Sequence, residues 1–391
     1  MSKKVLVLNP YYPTLGGGEK HMAYFCKFIE SYYNDVEIDI LVHNYNEVNI
    51  HSEYYPTINE LNNRFGIHLD RTKILKLDLK APGSLIEHYK NKKVIEEITS
   101  KYDLFLNFMF LSKHIGRAKR NLYSCMFPPQ KFSFNKFPHN LVADWLNFRF
   151  KNSYNYFISN SKFTNHWLQH YWRTGKKNVT IYPPVFLENE INEIEFEKKE
   201  NIILSVGRFF VGAHNKKQDF LVDFFVKNIH KFQGWELHIV GALSNNPVDI
   251  EYVAKIKEKI QGYPIYLYIN SDLSQVNNLY DRAKLFWHAT GFNEESDRFP
   301  EKMEHFGITT VEAMSKGVVP IVINKGGQTE IVNQQKDGFL WNSEEELLEY
   351  TQELISNSEK RETIALNASK RAKDFSVETF YEKNREIFDV L

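Results

Sequence analysis

The stretch Lys4-Val-Leu-Val-Leu-Asn9, then Pro10-Tyr-Tyr-Pro13, then Gly16-Gly17-Gly18 and the run from Glu19 decides the fold. The first six residues are an apolar strand. Prolines and tyrosines turn the chain, and three glycines close the turn. From Glu19 the apolar residues Met22, Phe25, Cys26 and Ile29 recur at spacings of three and four, the period of one helix face. Val36-Glu-Ile-Asp-Ile-Leu-Val42 is a second strand. Strand, glycine turn, helix and strand open a βαβ unit, which predicts a parallel sheet.

The same alternation runs outward. Strands are expected at 104–110, 156–159 and 179–182, with a helix over 164–171. Near Asn201 the pattern starts afresh. Strands are predicted at 202–206, 236–240, 265–269, 283–288 and 318–323, and helices at 218–232, 253–260 and 308–316. The final segment, 377–391, reads as a helix. Residues 188–200, with six glutamates and two lysines, read as a solvated linker. The expectation is α/β: two successive doubly wound units of similar size. In such sheets ligands bind beyond the carboxyl ends of the strands.

Composition agrees and excludes several classes. The chain has 391 residues, 42% hydrophobic and 25% charged, enough for two ordinary cores. Lys+Arg and Asp+Glu both number 49, so the whole-chain basic excess of a nucleic-acid binder is absent. Two cysteines, Cys26 and Cys125, make neither a disulfide scaffold nor a four-cysteine zinc site. No apolar run approaches the ~20 residues of a membrane span. The start lacks the pattern of a signal peptide. The chain is expected to be cytoplasmic.

Three constellations could carry chemistry. Glu304-His-Phe-Gly-Ile-Thr-Thr-Val-Glu312 places two carboxylates eight apart, one before a helix and one within it, with Gly317 as the helix's left-handed cap. The amides of Gly307, Ile308, Thr309 and Thr310 would be unpaired first-turn donors, and such a helix start binds phosphate. The alternative is two acids on a solvated helix. Val206-Gly207-Arg208 puts a guanidinium at a strand end, and Lys216 adds a second cation. A guanidinium fork suits a diphosphate. The alternative is surface charge. Gly16-Gly17-Gly18-Glu19 lets backbone amides approach an anion. It is not G-x-G-x-x-G, and Asp39 lies inside the second strand, so dinucleotide binding is not expected.

In this order the motifs resemble the retaining glycosyltransferases of family 4, which have the GT-B fold. Further segments carry the resemblance. They are Ile158-Ser-Asn160-Ser161, Ile181-Tyr-Pro-Pro184-Val, Gly317-Val-Val-Pro320 and Gly326-Gly327-x-x-Glu330. The resemblance implies two Rossmann-like domains facing each other across a cleft. Residues 1–185 would bind the acceptor and 186–375 the nucleotide sugar. Residues 376–391 would form a helix crossing back to the first domain. Catalytic residues would be Glu304, Arg208 and Lys216. Donor binding would draw on Gly16, Gly17, Arg208, Lys216, Glu304, Phe306, Gly307, Ile308, Thr309 and Glu312. Arg208 and Lys216 would neutralise the departing diphosphate, Glu304 would hold sugar hydroxyls and Glu312 the ribose. No cofactor or metal is implied, and no D-x-D motif follows a strand. Met126 stands where many relatives carry a histidine. His114, His139 and His288 remain as candidates, and His288 is the best placed, because it ends a strand.

Residues 111–151 hold eight Lys/Arg (113, 117, 119, 120, 131, 136, 149 and 151) against the single acid Asp144. Phe and Trp residues interleave. This pattern suits an anionic membrane surface, a single-stranded nucleic acid or a solvated face over a Phe-rich core. The resemblance selects the membrane, because acceptors in this family are often lipid-linked, and no nucleic acid is expected. The expected activity is transfer of a sugar from a nucleotide-diphosphate sugar to a glycan or lipid-linked acceptor, in surface polysaccharide or glycoconjugate biosynthesis. Two rivals stay open. They are a GT-B sugar-nucleotide epimerase and an inactive nucleotide-sugar-binding subunit.

Overall fold

A computed structural model describes residues 2–9, 16–45, 57–79, 84–108, 110–133, 139–187 and 194–391. The turn at Pro10–Pro13 lies outside them, as do Phe134, Lys136, Phe137 and residues 188–193. Contacts divide the chain into two units, 1–182 with 381–391, and 183–380.

The first unit alternates strand and helix: β1 Lys3–Leu8, α1 Gly17–Tyr32, β2 Val36–Tyr45, α2 Ile58–Phe65, β3 Thr72–Leu79 and α3 Leu85–Thr99. It continues with β4 Leu104–Asn107, β5 Arg120–Cys125, α4 His139–Ser153, β6 Tyr156–Ser159, α5 Lys162–Trp172 and β7 Asn178–Thr180. The sheet order is β3-β2-β1-β4-β5-β6-β7, and every pairing is parallel. Both faces of such a sheet are covered, so its central strands read as continuous apolar runs. Val5 to Leu8 are fully buried. Tyr123, Phe150, Tyr154, Phe157 and Trp172 fill the core under β5 and β6. The expected strand at 104–110 stops at Asn107, whose buried amide donates to Ser112 Oγ and Tyr154 Oη at 2.8 Å each. Strands β3 and β5 and helices α2 to α4 were not predicted.

The second unit runs β8 Ile202–Val206, α6 Gln218–Lys227, β9 Glu236–Gly241, α7 Pro247–Lys259, β10 Ile265–Ile269, α8 Leu273–Arg282 and β11 Leu285–His288. Then come α9 Ile308–Ser315, β12 Val319–Ile323, α10 Gln328–Ile331, β13 Phe339–Trp341, α11 Glu344–Ser356, α12 Ser358–Ala372 and α13 Val377–Phe388. The parallel order is β10-β9-β8-β11-β12-β13. The core gathers Phe224, Phe225, Phe232, Trp287 and Trp341. Within the first unit, Phe388 from the end of α13 packs its ring against Phe25, Phe28 and Tyr32. Asp389 accepts from Tyr32 Oη at 2.7 Å.

Two expectations need correction. The helix expected over 218–232 ends at Lys227, and a separate 3-10 turn covers Ile229–Lys231, where the Asn228 side chain donates to Phe224 O. The segment read as a solvated linker carries a buried lysine. Lys199 is only 7% exposed, and its Nζ donates to the carbonyls of Tyr280, Asp281 and Ala283 at the end of α8. A cation at a helix C-terminus satisfies carbonyls the helix leaves open. Burial lowers this ammonium to about 7. A charge count cannot tell such a capping lysine from a solvated one.

Candidate active site

The carboxyl ends of β8 and β11 and the amino end of α9 set the site in the second unit. Successive strand residues face opposite ways. Trp287 is therefore turned into the helix layer, where its Nε1 donates to Thr351 Oγ1 at 3.1 Å. His288 is buried and bonds through Nε2 to Glu304 Oε2 at 2.9 Å. Lys216, from the loop between β8 and α6, places Nζ 2.5 Å from the same oxygen. Lys216 and Glu304, read from the sequence as separate phosphate and sugar ligands, are thus one ion pair.

Burial opposes the Glu304 charge, but Lys216 and the His288 hydrogen bond outweigh it and hold the carboxyl well below its usual range. Burial dominates at His288 and lowers its imidazolium despite Glu304, so the ring is neutral at pH 7. A neutral imidazole here donates its Nε2 hydrogen to the Glu304 carboxylate and adds no charge to the pocket.

The Glu304 loop is built by glycines. Gly326 has φ +60°, and a Cβ there would lie 2.2 Å from the carbonyl oxygen of Glu304. A Cβ on Gly327 would meet Phe306 Cα at 2.5 Å, and the Gly327 amide donates to Glu304 O at 2.7 Å. The Gly-Gly pair is therefore a close approach of two backbones. We expect Gly326→Ala to destabilise the protein by roughly 1–3 kcal/mol through overpacking and to lower turnover by moving Glu304. Gly234 is the control, since its φ is +76° but nothing lies within 4 Å of its Cβ position. Equal melting temperatures for Gly326→Ala and Gly234→Ala would contradict this.

The helix start is confirmed in place: α9 begins at Ile308, with Gly307 at its cap in a left-handed conformation, φ +119°. The expectation of open amides holds less far than expected. The Thr310 amide is already paired to Gly307 O at 3.0 Å, because the first turn is tightened. Ile308 and Thr309 are half-buried in that turn. The Phe306 ring is turned onto Phe375, with centroids 5.5 Å apart. Gly317 ends the element at φ +66°. Glu312 lies one turn further into α9 and accepts from the buried Tyr280 hydroxyl at 3.0 Å.

Arg208 is exposed directly after β8, with its guanidinium 5.9 Å from the Phe210 ring centroid. Its loop is anchored by side chains the sequence reading missed. Asp249 accepts from the Val211 amide at 3.0 Å. Gln218 Nε2 donates to the carbonyls of Gly207 and Arg208. His214 Nε2 lies 2.9 Å from His305 Nε2. Lys217, at φ +56°, points away from Glu304 and pairs with Glu294 at 2.9 Å. The position of His305 beside Glu304 was the only sequence signal for the histidine pair.

In the first unit, Gly16 caps α1 and Gly17 opens it. The Gly16 amide donates to Glu19 Oε2 at 3.0 Å, so the acid in this motif serves the helix start. Met126 does stand beside the glycine loop, its Sδ 3.2 Å from a Cβ built on Gly18. His114 is buried. The side chain of His139 lies outside the described residues.

Several cations of the basic stretch are paired. Lys119 pairs with Asp103 at 2.6 Å. Arg120 donates to the Leu391 carbonyl, and Arg149 and Arg117 meet Glu96. These pairs explain part of the local excess as structural. A different surface emerges on α4, where Leu141, Val142, Trp145 and Phe148 are all at least half exposed. On α3, Ile86 and Tyr89 are exposed too. Phe132 lies under Lys113 Nζ (4.1 Å) and Lys92 Nζ (5.2 Å), and the Asn147 side chain of α4 holds its backbone. No helix among the described residues is long and apolar enough to cross a membrane.

Comparison with known proteins fits this geometry. Residues 187–371 match the family described as Glycosyl transferases group 1. The fold is GT-B, two Rossmann-like domains: Anabaena HepE, solved in complex with UDP and glucose, superposes over 100% of both chains with a TM-score of 0.67 at 18% identity. The chain thus carries a glycosyl transferases group 1 domain, spanning nearly all of its second unit, within a GT-B fold. It is 25% identical over 240 residues to a GDP-Man:Man(3)GlcNAc(2)-PP-Dol alpha-1,2-mannosyltransferase of Dictyostelium discoideum, 58% of this chain and 44% of that protein. The chain therefore spans about half the length of such curated relatives. An uncharacterized glycosyltransferase of Methanocaldococcus jannaschii is 25% identical over 99% of this chain and 98% of its own.

Proposed function

We propose that this protein is a retaining glycosyltransferase of the family 4 type. It moves a sugar from a UDP- or GDP-sugar to a glycan or lipid-linked acceptor in glycoconjugate biosynthesis, without a metal. The observation that carries this is the Lys216–Glu304–His288 cluster at the mouth of α9, inside the matched family segment.

The chemistry follows from charge. The bond between the anomeric carbon and the phosphate oxygen breaks, and its electron pair goes to the phosphate. The acceptor hydroxyl oxygen bonds to the same carbon, and its proton passes to the departing phosphate. Negative charge grows on the leaving group. Arg208, Lys216 and the first-turn amides of α9 are fixed donors for it, and preorganised donors are the largest usual catalytic contribution. Glu304 would hold sugar hydroxyls and Glu312 the ribose.

Titrating the protein with UDP, GDP and their sugar conjugates in a thermal-shift assay tests the donor. Ligand at 100 times its dissociation constant adds ~2.7 kcal/mol. Incubation with the responding donor alone then separates the rivals. An epimerase would yield an isomeric nucleotide sugar, and no shift with any nucleotide sugar would overturn the reading.

A lipid-linked acceptor needs a membrane contact, and the exposed apolar face of α4 with Lys92, Lys113 and Lys131 nearby suits the cytoplasmic face of an anionic bilayer. Aromatic rings sit at such interfaces, and each nearby cation adds ~1 kcal/mol. We expect Trp145→Glu/Phe148→Glu to abolish flotation with anionic vesicles while sparing transfer to a short soluble acceptor. Unchanged flotation would place the contact elsewhere.

A further inference from the structure

The loop from Gly207 to Lys217 carries both Arg208 and Lys216. Two of its anchors behave differently once a donor arrives. Lys216 is held by Glu304, but a diphosphate would compete for the same ammonium. The His214–His305 bond faces no such competitor. It joins the residue two before Lys216 to the residue directly after Glu304. The rings lie 4.0 Å apart by centroid, tilted by 53°. His305 is buried and His214 half-buried.

The hydrogen-bond roles can be assigned. His305 Nε2 also lies 3.2 Å from the carbonyl oxygen of Glu301. A carbonyl only accepts, so His305 carries its proton on Nε2 and shares it between Glu301 O and His214 Nε2. His214 then accepts through Nε2 and keeps its own proton on Nδ1. Such roles follow from the network of partners. Both rings must be neutral. A second proton would set two N–H groups against each other, with Lys216, Arg208, His288 and Glu304 as the charged or titratable neighbours. Burial and Lys216 together lower the His214 imidazolium to about 3, and burial with His214 lowers His305 well below its ordinary value. The neutral pair therefore persists through the physiological range.

We propose that His214 and His305 form a neutral imidazole clasp that positions Lys216 on the leaving diphosphate. Its effect on catalysis rests on the transferase reading above. The clasp keeps the Lys216 loop against the Glu304 loop after the Lys216–Glu304 bond has been exchanged for the substrate. His214 and His305 are positioning residues, since neither is assigned a contact with the sugar or phosphates.

The test has two arms. Selective nitrogen-15 labelling of histidine in the full-length protein reads the tautomers at pH 7 without any substrate. The expected result is an Nδ1–H ring for His214 and an Nε2–H ring for His305. The same tautomer on both rings would overturn the clasp. In the kinetic arm, His305→Phe removes the donor, and turnover should fall about 10- to 100-fold, as small misplacements do. His305→Gln keeps an N–H at similar reach and should recover most of it. The His305→Phe loss should vanish in a Lys216→Ala background, because the clasp acts through that lysine. Additive losses would show a general structural role and overturn the positioning. If the unaltered protein transfers no sugar, the function fails while the tautomer arm still decides the clasp.

Discussion

Lys216→Ala should cut turnover by about 10²–10³-fold, the usual cost of losing one fixed donor to developing charge. The structure adds a second consequence. Glu304 is buried, and Lys216 is its only cationic side-chain partner among the described ion pairs besides the neutral-leaning His288. Without the lysine, a charged carboxylate stays buried without its counter-ion. Breaking a buried pair in this way costs about 3–5 kcal/mol, unless the carboxyl takes up a proton instead. The variant should therefore melt earlier, and less so at acid pH. The sign follows from linkage. The native carboxyl is depressed below its unfolded value, so its contribution is present above about pH 4.5 and lost as pH falls. Removing Lys216 removes that depression, and the two proteins should converge in stability toward low pH. Lys216→Ala/Glu304→Gln should be more stable than Lys216→Ala alone, yet equally inactive. Stopped-time transfer assays and calorimetric melting at pH 4 and 8 measure both effects. Near-normal turnover in Lys216→Ala would remove this residue from the diphosphate site. Lys217→Ala, which breaks only the Glu294 pair, is the neighbouring control.

The strands that build the site were legible because they are buried on both faces. Ile202–Val206 matches the expected range, and β11 fills 285–288 of the expected 283–288. Two strands of the first sheet were not legible. β5 reads Arg-Asn-Leu-Tyr-Ser-Cys, with no apolar run, because Asn121 turns its amide back on Ala118 and only Leu122, Tyr123 and Cys125 supply core. β3 is an edge strand whose lysines face outward. The site shows the same division. The positions of Glu304, Arg208 and Lys216 follow from what strand ends and helix starts can do. Their pairing does not, because a contact across 88 residues leaves no local pattern. The histidine clasp was illegible for that reason too, as its partners are 91 residues apart. The local excess of cations in 111–151 was legible as a count, but not its pairing: Arg117 and Arg149 meet Glu96, Lys119 meets Asp103 and Arg120 meets the Leu391 carbonyl.

The two glutamates of the E-x7-E motif should separate in calorimetry with the bare nucleotide diphosphate. Glu312 accepts a hydrogen bond from Tyr280, whose hydroxyl burial and Glu312 together hold well above its ordinary value. A carboxylate has further lone pairs for the ribose. Hydrogen bonds to a charged group are worth ~1.5–3 kcal/mol, so Glu312→Ala should weaken nucleotide diphosphate binding roughly 10- to 100-fold. Part of that loss reflects the Tyr280 hydroxyl, left with the Thr309 carbonyl at 3.3 Å as its acceptor, and Tyr280→Phe measures that part. It removes the same hydrogen bond and leaves the carboxylate in place, so its affinity should stay near that of the unaltered protein. Glu304→Gln should behave in the opposite sense. It keeps an acceptor for His288 but removes the charge that holds Lys216. The ammonium is then freer to meet a phosphate, so bare nucleotide diphosphate should bind at least as tightly as before. Turnover should still fall strongly, because the proposed reading makes Glu304 the charged partner of the sugar. Equal weakening in Glu312→Ala and Glu304→Gln would contradict the division of roles. Weaker binding in Glu304→Gln alone would mean that Glu304, not Glu312, faces the nucleotide.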